Sequence, residues 1–146
     1  MQKRLKFADE PQAKGPLGKL FHPAVAQWFT QRFGQPTPVQ QRAWEVTTAH
    51  QDALIAAPTG SGKTLAAFLG AINDLVIEGL EHELADEVHV LYVSPLKALS
   101  TDIQKNLQEP LAGIRAQLRD MGLPDVPIRD AVRTGDTSTF DRERMR

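Results

Sequence analysis

A glycine-rich stretch constrains the fold of this chain more than any other feature, and it reads A-P-T-G-S-G-K-T over residues 57–64. An apolar run of residues 53–56 precedes it, and an amphipathic segment begins after it at Leu65. This order predicts a strand, a tight loop and a helix N-terminus, which together turn consecutive backbone N–H groups toward an anion. Ala57 stands where the pattern G-x-x-x-x-G-K-[ST] has its first glycine, so the match fails at one position.

The residue types in this stretch suit a phosphate group and a divalent cation. Gly60 and Gly62 allow the backbone to turn, the ammonium of Lys63 offers a charge for the outer phosphates, and Thr64 offers a hydroxyl to Mg²⁺. The alternative is an ordinary turn that carries a lysine by chance. The predicted cofactor-binding residues here are Thr59, Gly60, Ser61, Gly62, Lys63 and Thr64, and the predicted catalytic residues are Lys63 and Thr64.

Apolar periodicity predicts strands that alternate with helices, and such alternation indicates an α/β domain with a mainly parallel sheet. Residues 1–20 are polar and are interpreted as a flexible lead, and residues 21–146 as part of one domain. The predicted strands cover residues 53–57, 88–93 and 128–132. The predicted helices cover residues 23–33, Thr37-Pro38 to about His50, Lys63 to Gly79, 96 to 109, 110 to 121, and a last one capped by Ser138.

Composition excludes several classes of function. The net charge is −1, so any nucleic-acid contact needs a local basic patch rather than a bulk attraction. The chain contains no cysteine, which excludes disulfides and thiolate metal sites, and its four histidines lack the spacing of a zinc site. Neither a secretory signal nor an apolar run of membrane-spanning length is found, so a cytoplasmic location is expected.

The stretches F-H-P at 21–23, W-F at 28–29, L-A-A-F-L at 65–69 and R-T-G-D-T at 133–137 resemble the large helicase-related (Lhr) group of DEXH helicases. Four stretches, taken in order, resemble the superfamily 2 helicases as a whole. They are F-G-Q-P-T-P-V-Q at 33–40, which resembles the Q motif, the glycine-rich stretch at 57–64, Y-V-S-P-L-K-A-L at 92–99, similar to motif Ia, and R-T-G-D-T at 133–137. In this group A-P-T-G-S-G-K-T is typical, which accounts for Ala57. The resemblance covers residues 21–146 and implies a RecA-like P-loop NTPase fold that binds ATP and Mg²⁺.

The resemblance also implies roles for individual residues, each with a plainer alternative. Gln40 would pair with the adenine edge, but T-x-x-Q at 37–40 is also a capping box. Phe21 is the candidate for stacking on the base. Contacts with single-stranded or duplex nucleic acid, either DNA or an RNA–DNA hybrid, are implied for Ser94, Pro95, Lys97, Arg133, Thr134, Gly135 and Asp136. The alternatives are a helix start at 94–97 and an ordinary turn at 133–137.

The catalytic parts of such a helicase are expected to be incomplete here. Asp86-Glu87-Val88-His89 has the letters D-E-x-H but precedes an apolar run instead of ending one, so we interpret it as a solvated turn. The true box and the second RecA-like domain are expected beyond Arg146, which leaves an incomplete first RecA domain with exposed sheet edges and marginal stability. The expected function is the ATP-binding part of an Lhr-type helicase in DNA repair. The alternatives are an inactive fragment that only binds nucleotide or nucleic acid, a nonfunctional truncation, and an unrelated P-loop enzyme such as a small kinase.

Overall fold

The structure is a computed structural model that describes residues 15–95 and 97–145. A 3₁₀ helix at Pro16–Lys19 is followed by helices whose bounds, named here in chain order, are α1 Pro23–Phe33, α2 Pro38–Thr47, α3 Lys63–Glu81, α4 Lys97–Asp120 and α5 Thr139–Arg144.

Local capping signals explain where the helices begin. Pro23 occupies the first turn of α1, and the Nδ1 atom of His22 accepts a hydrogen bond from the backbone N–H of Ala24 at 3.1 Å. Ser138 caps α5 by accepting from the N–H of Asp141 at 3.1 Å, as the sequence predicts. Gly34 ends α1 with a φ of 79°, a conformation that costs glycine little.

The predicted break at Pro110 is wrong, because α4 continues through this residue. A proline inside a helix removes one N–H···O=C bond and crowds the preceding turn. Pro110 and the side chains of Leu111 and Ile114 are nevertheless buried, so burial of the apolar face of α4 outweighs that local cost.

The described residues contain no β-strand, so the predicted parallel sheet is not confirmed. The segments at 53–57, 88–93 and 128–132 are irregular. A strand forms only when a neighbouring strand accepts and donates its backbone hydrogen bonds. Apolar side chains of the first two segments lie in solvent instead, with Leu54 exposed by 97% and Leu91 and Val93 each by 80%.

The core lies between helices, with α1 packed on α4 and α2 packed on α3. Trp44 is fully buried at its centre, with its ring centroid 5.0 Å from that of Phe21 and 5.2 Å from that of Phe29. Leu17 is also buried, although the sequence places it in the flexible lead. The spacing of Val25, Trp28, Phe29 and Phe33 predicts that they share the buried face of α1, but Phe33 is 48% exposed. Residues 1–14 of the lead lie outside the described residues, and the domain boundary at residue 21 stays a prediction.

Polar contacts attach the segment after α4 to that helix. Arg115 forms a bidentate pair with Asp125, with Nε–Oδ1 and Nη2–Oδ2 distances of 2.8 and 2.5 Å. These hydrogen bonds from Arg115 lower the pKa of Asp125. The amide groups of Gln104 and Gln108 both donate to the carboxylate of Asp130. No helix within residues 15–95 and 97–145 has the combined length and apolar character that crossing a membrane requires.

Candidate functional site

The glycine-rich loop at residues 57–64 ends at the N-terminus of α3. Gly62 is the N-cap residue in the left-handed conformation, with φ 82° and ψ 24°, and Gly60 has a φ of 84°. No side chain caps this helix end. The first N–H groups of a helix have no partner within the helix, and they carry the positive end of its dipole. This end of α3 can therefore accept an anionic ligand.

Hydrogen bonds inside the loop hold it closed at its base. The hydroxyl of Ser61 donates to the carbonyl of Pro58 at 2.5 Å, and the backbone N–H of Ser61 contacts the same oxygen at 3.3 Å. The ammonium of Lys63 donates to the carbonyl of Ala57 at 2.5 Å. Because an ammonium has three donors, Lys63 can add an anion without losing this contact. Thr59 and Thr64 are exposed beside it.

The loop is attached to α2 by two side chains at the start of that helix. The hydroxyl of Thr37 donates to the carbonyl of Ser61 at 2.8 Å, and Nε2 of Gln40 donates to the carbonyl of Gly62 at 3.3 Å. Oε1 of Gln40 accepts from the backbone N–H of Thr37 at 3.0 Å, which completes a capping box. Both ends of the Gln40 amide are therefore occupied within the protein.

This geometry matches the capping alternative for Gln40, whose side chain is buried. Recognition of adenine by Gln40 stays a prediction, and beyond these bonds the amide retains one N–H donor and one oxygen lone pair. Phe21 is 4% exposed and packs edge-on against Trp44, so its ring faces are not available for stacking on a base. The contact of Thr37 with Ser61 was missed by sequence reasoning, because a capping signal does not show which other element the cap residue touches.

The second predicted region, at residues 94–97, begins where the chain enters α4. Ser94 is half-buried and Pro95 is exposed, and Lys97 is the first residue of the helix. The aromatic rings of Tyr92 and Phe68 lie 5.0 Å apart, which holds the preceding segment beside α3. The chain therefore contacts α3 just before it reaches this region.

The third predicted region is a closed turn at residues 133–137. The N–H of Thr134 donates to Oγ1 of Thr137 at 2.8 Å, and the N–H of Thr137 contacts the carbonyl of Thr134 at 3.2 Å. The N–H of Asp136 donates to Oγ1 of Thr134 at 3.2 Å, and Arg133 is exposed.

The D-E-x-H sequence at residues 86–89 lies in an exposed turn, as predicted. Asp86 pairs with Arg129, and the N–H of Glu87 donates to the carbonyl of Ala85 at 2.9 Å. A ring nitrogen of His89 lies 3.1 Å from the same carbonyl oxygen. The described part of the chain contains no group of three acidic or histidine side chains that could hold a metal ion.

Replacement of Gly62 by alanine should disrupt the loop more than the same replacement at Gly60. Both glycines have a positive φ, so each alanine costs about 1 kcal/mol or more of backbone strain. At Gly62 the new Cβ would also lie 2.3 Å from Nε2 of Gln40, whereas nothing lies within 4 Å of a Cβ at Gly60.

Urea unfolding of Gly62→Ala and Gly60→Ala measures this difference. We expect Gly62→Ala to have the lower midpoint, and adding Gln40→Ala to it should recover part of the loss. Equal midpoints for the two single variants would contradict the contact between Gln40 and the loop.

The glycine-rich loop, the uncapped N-terminus of α3 and Lys63 together form a site whose geometry can accept an anion. A family model described as DEAD/DEAH box helicase matches residues 37–135, and the chain belongs to this family.

Relatives in the family narrow the similarity to Lhr helicases. The chain is 44% identical over 141 residues to the ATP-dependent helicase Lhr-Core protein 2 of Thermococcus barophilus, and the match covers 97% of the chain and 16% of that protein. It is 46% identical over 145 residues to the Lhr helicase/uracil glycosylase of Escherichia coli, covering 95% of the chain and 9% of that protein.

A solved structure, that of the Mycobacterium smegmatis helicase Lhr bound to ssDNA and AMP-PNP, matches with a TM-score of 0.78 and 46% identity. The match covers 89% of this chain and 16% of the other. The chain thus spans a small part of the length of these relatives, and over 89% of its residues its fold matches that of the Mycobacterium smegmatis protein.

Proposed function

We propose that this chain is the ATP-binding part of an ATP-dependent helicase of the Lhr type, which acts on DNA or on an RNA–DNA hybrid in DNA repair. The observation that supports it best is the geometry of the glycine-rich loop. The positive-φ glycines and Lys63 lie at the N-terminus of α3, where the helix dipole has its positive end. Several of its relatives, including the Thermococcus barophilus protein, are ATP-dependent helicases.

ATP fits this loop by the chemistry of its donors. The triphosphate would lie against the unpaired N–H groups at the start of α3, with Lys63 against the outer phosphates. The left-handed conformation of Gly62 suits a residue without a Cβ, which would otherwise meet the amide of Gln40. Mg²⁺ fits in part, because the hydroxyl of Thr64 offers one ligand and this ion usually takes its remaining ligands from phosphates, water and one or two carboxylates.

Nucleic acid would contact the two other regions, at residues 94–97 and 133–137. The relative of known structure was solved with ssDNA. Ser94, Pro95 and Lys97 stand at a helix start, and Arg133 is exposed beside the closed turn that contains Thr134, Gly135 and Asp136. Hydroxyls, cations and backbone N–H groups are the usual contacts of a phosphate backbone, and they do not read base sequence.

A second function, nucleotide or nucleic-acid binding without catalysis, is favoured by the exposed apolar segment at residues 88–93. Val88, Leu91 and Val93 are each exposed by 68% or more. Such a run is typical of a strand that is buried on both faces of a parallel sheet. We infer that this segment pairs with strands outside the described residues, and that hydrolysis needs those strands and a second RecA-like domain.

Two measurements on the purified chain test the proposal. Titration with a fluorescent ATP analogue should show saturable binding that depends on Mg²⁺, whereas ATP hydrolysis should be negligible even with DNA present. Absence of saturable binding would contradict the ATP-binding role. Robust hydrolysis that disappears in Lys63→Ala would contradict the inference that hydrolysis requires further parts.

A further inference from the structure

We propose that Arg142 is a positioning residue that holds the turn at residues 133–137 in the shape that receives a nucleic-acid phosphate. This inference rests on the proposed function, and it assigns a role to a residue that lies outside the four stretches of resemblance. The evidence for it is a pair of hydrogen bonds from a side chain of α5 to the backbone of the turn.

The guanidinium of Arg142 bridges two successive carbonyl groups of the turn. Its Nη2 atom lies 2.8 Å from the carbonyl oxygen of Gly135 and 3.2 Å from that of Thr134. Hydrogen bonds from a charged donor are stronger than neutral ones. One side chain therefore fixes the orientation of two adjacent peptide groups.

These bonds also decide where the N–H of Gly135 points. A trans peptide is planar, and its C=O and N–H point in opposite directions. Because the carbonyl of Thr134 faces Arg142, the N–H of Gly135 faces away from it, on the exposed side of the turn. A backbone N–H held in this way, next to Arg133, is a suitable donor for a phosphate oxygen.

Arg142 is itself held in place by the start of α5. Its backbone N–H donates to the carbonyl of Ser138 at 2.9 Å, and the hydroxyl of Ser138 donates to Asp141 at 2.6 Å. The side chain of Arg142 is half-buried, and its Nε atom is buried without a hydrogen bond. A surface arginine that served only for solubility would extend into solvent instead.

Salt dependence of DNA binding separates positioning from direct contact. The binding constant for single-stranded DNA depends on salt with a logarithmic slope of about −0.7 for each phosphate contact. The probe is a fluorescently labelled oligothymidine titrated with the full chain at several salt concentrations. Arg133→Ala should weaken binding and reduce the slope by about one contact.

Arg142→Gln should weaken binding at least about 5-fold while the slope stays at the value of the matched control, Arg144→Ala. Arg144 is on the same helix and carries the same charge, but its guanidinium lies over the ring of Phe140. Arg142→Lys should recover part of the affinity, because an ammonium can still donate to these carbonyls. Hydrogen exchange at residues 134–137 should be faster in Arg142→Gln without DNA.

Three outcomes would overturn the inference. In the first, Arg142→Gln has the same DNA affinity and the same hydrogen-exchange rates as Arg144→Ala, while Arg133→Ala binds DNA weakly. This result would exclude a role for Arg142 and would leave the proposed function unaffected. In the second, the salt slope of DNA binding in Arg142→Gln is reduced as much as in Arg133→Ala, which would mean that Arg142 contacts a phosphate directly. No binding by the unaltered chain would contradict both the nucleic-acid role and this inference.

Discussion

Replacement of Lys63 by alanine is expected to weaken binding of an ATP analogue by about 10- to 150-fold. This range corresponds to the loss of about 1.5–3 kcal/mol for a hydrogen bond to a charged group. The side chain is exposed, and its contact in the structure is with the carbonyl of Ala57, so the fold should tolerate the change. Titration of both proteins with the same fluorescent analogue measures the ratio of their dissociation constants.

Lys105→Ala is the matched control for this prediction. Lys105 is exposed on α4, and its removal changes the net charge by the same amount. We expect Lys105→Ala to bind the analogue as the unaltered chain does, and the urea midpoints of all three proteins to agree. Equal affinity of Lys63→Ala and Lys105→Ala would show that the loop does not use its lysine, and the ATP-binding proposal would then lose its main support.

The sequence predicts well those features that depend on neighbouring residues. The bounds of α1 at Pro23 and Phe33 are confirmed, because His22 and Pro23 begin the helix and Gly34 ends it within a few residues. The start of α3 at Lys63 and the cap at Ser138 follow from equally local signals. Family membership, too, follows from motifs that are read in order along the chain.

Features that depend on distant contacts are predicted poorly. A proline signals a break, but the burial of α4 against α1 keeps the helix intact at Pro110. The sheet is not confirmed, because apolar runs predict strands only if other strands lie beside them. The burial of Leu17 likewise depends on the residues that cover it, and its polar neighbours in sequence gave no sign of it.

The candidate site shows the same division. Its glycines and Lys63 are recognisable as a motif, and the structure places them at a helix N-terminus as predicted. For Gln40 the sequence allowed both a cap and an adenine contact, since one amide can serve either. The role of Arg142 required the three-dimensional path of the turn, because its partners lie seven and eight residues away with no motif between them.

Trp44→Ala should destabilise the chain by about 3–5 kcal/mol, the usual cost of removing a large buried aromatic side chain. Trp44 has no exposed surface, and its ring contacts Phe21 and Phe29. Its indole N–H also donates to the carbonyl of Ala66 at 3.1 Å, which joins α2 to the first turns of α3. Domains of this size are stable by only about 5–15 kcal/mol, so this variant should be partly or largely unfolded at 37 °C.

Two comparison variants distinguish the stability lost with the buried ring of Trp44 from two other effects. These effects are the loss of its hydrogen bond and the loss of any aromatic side chain. Trp44→Phe keeps a ring in the core and loses the bond to Ala66, so its urea midpoint should fall by much less, corresponding to about 1 kcal/mol. Phe140→Ala removes a ring that is 69% exposed and should change stability by less than about 0.5 kcal/mol. Because Trp44 and Gln40 share α2, Trp44→Ala should also weaken nucleotide binding, even at a temperature where it remains folded. Unchanged stability and binding in Trp44→Ala would mean that α2 does not support the glycine-rich loop.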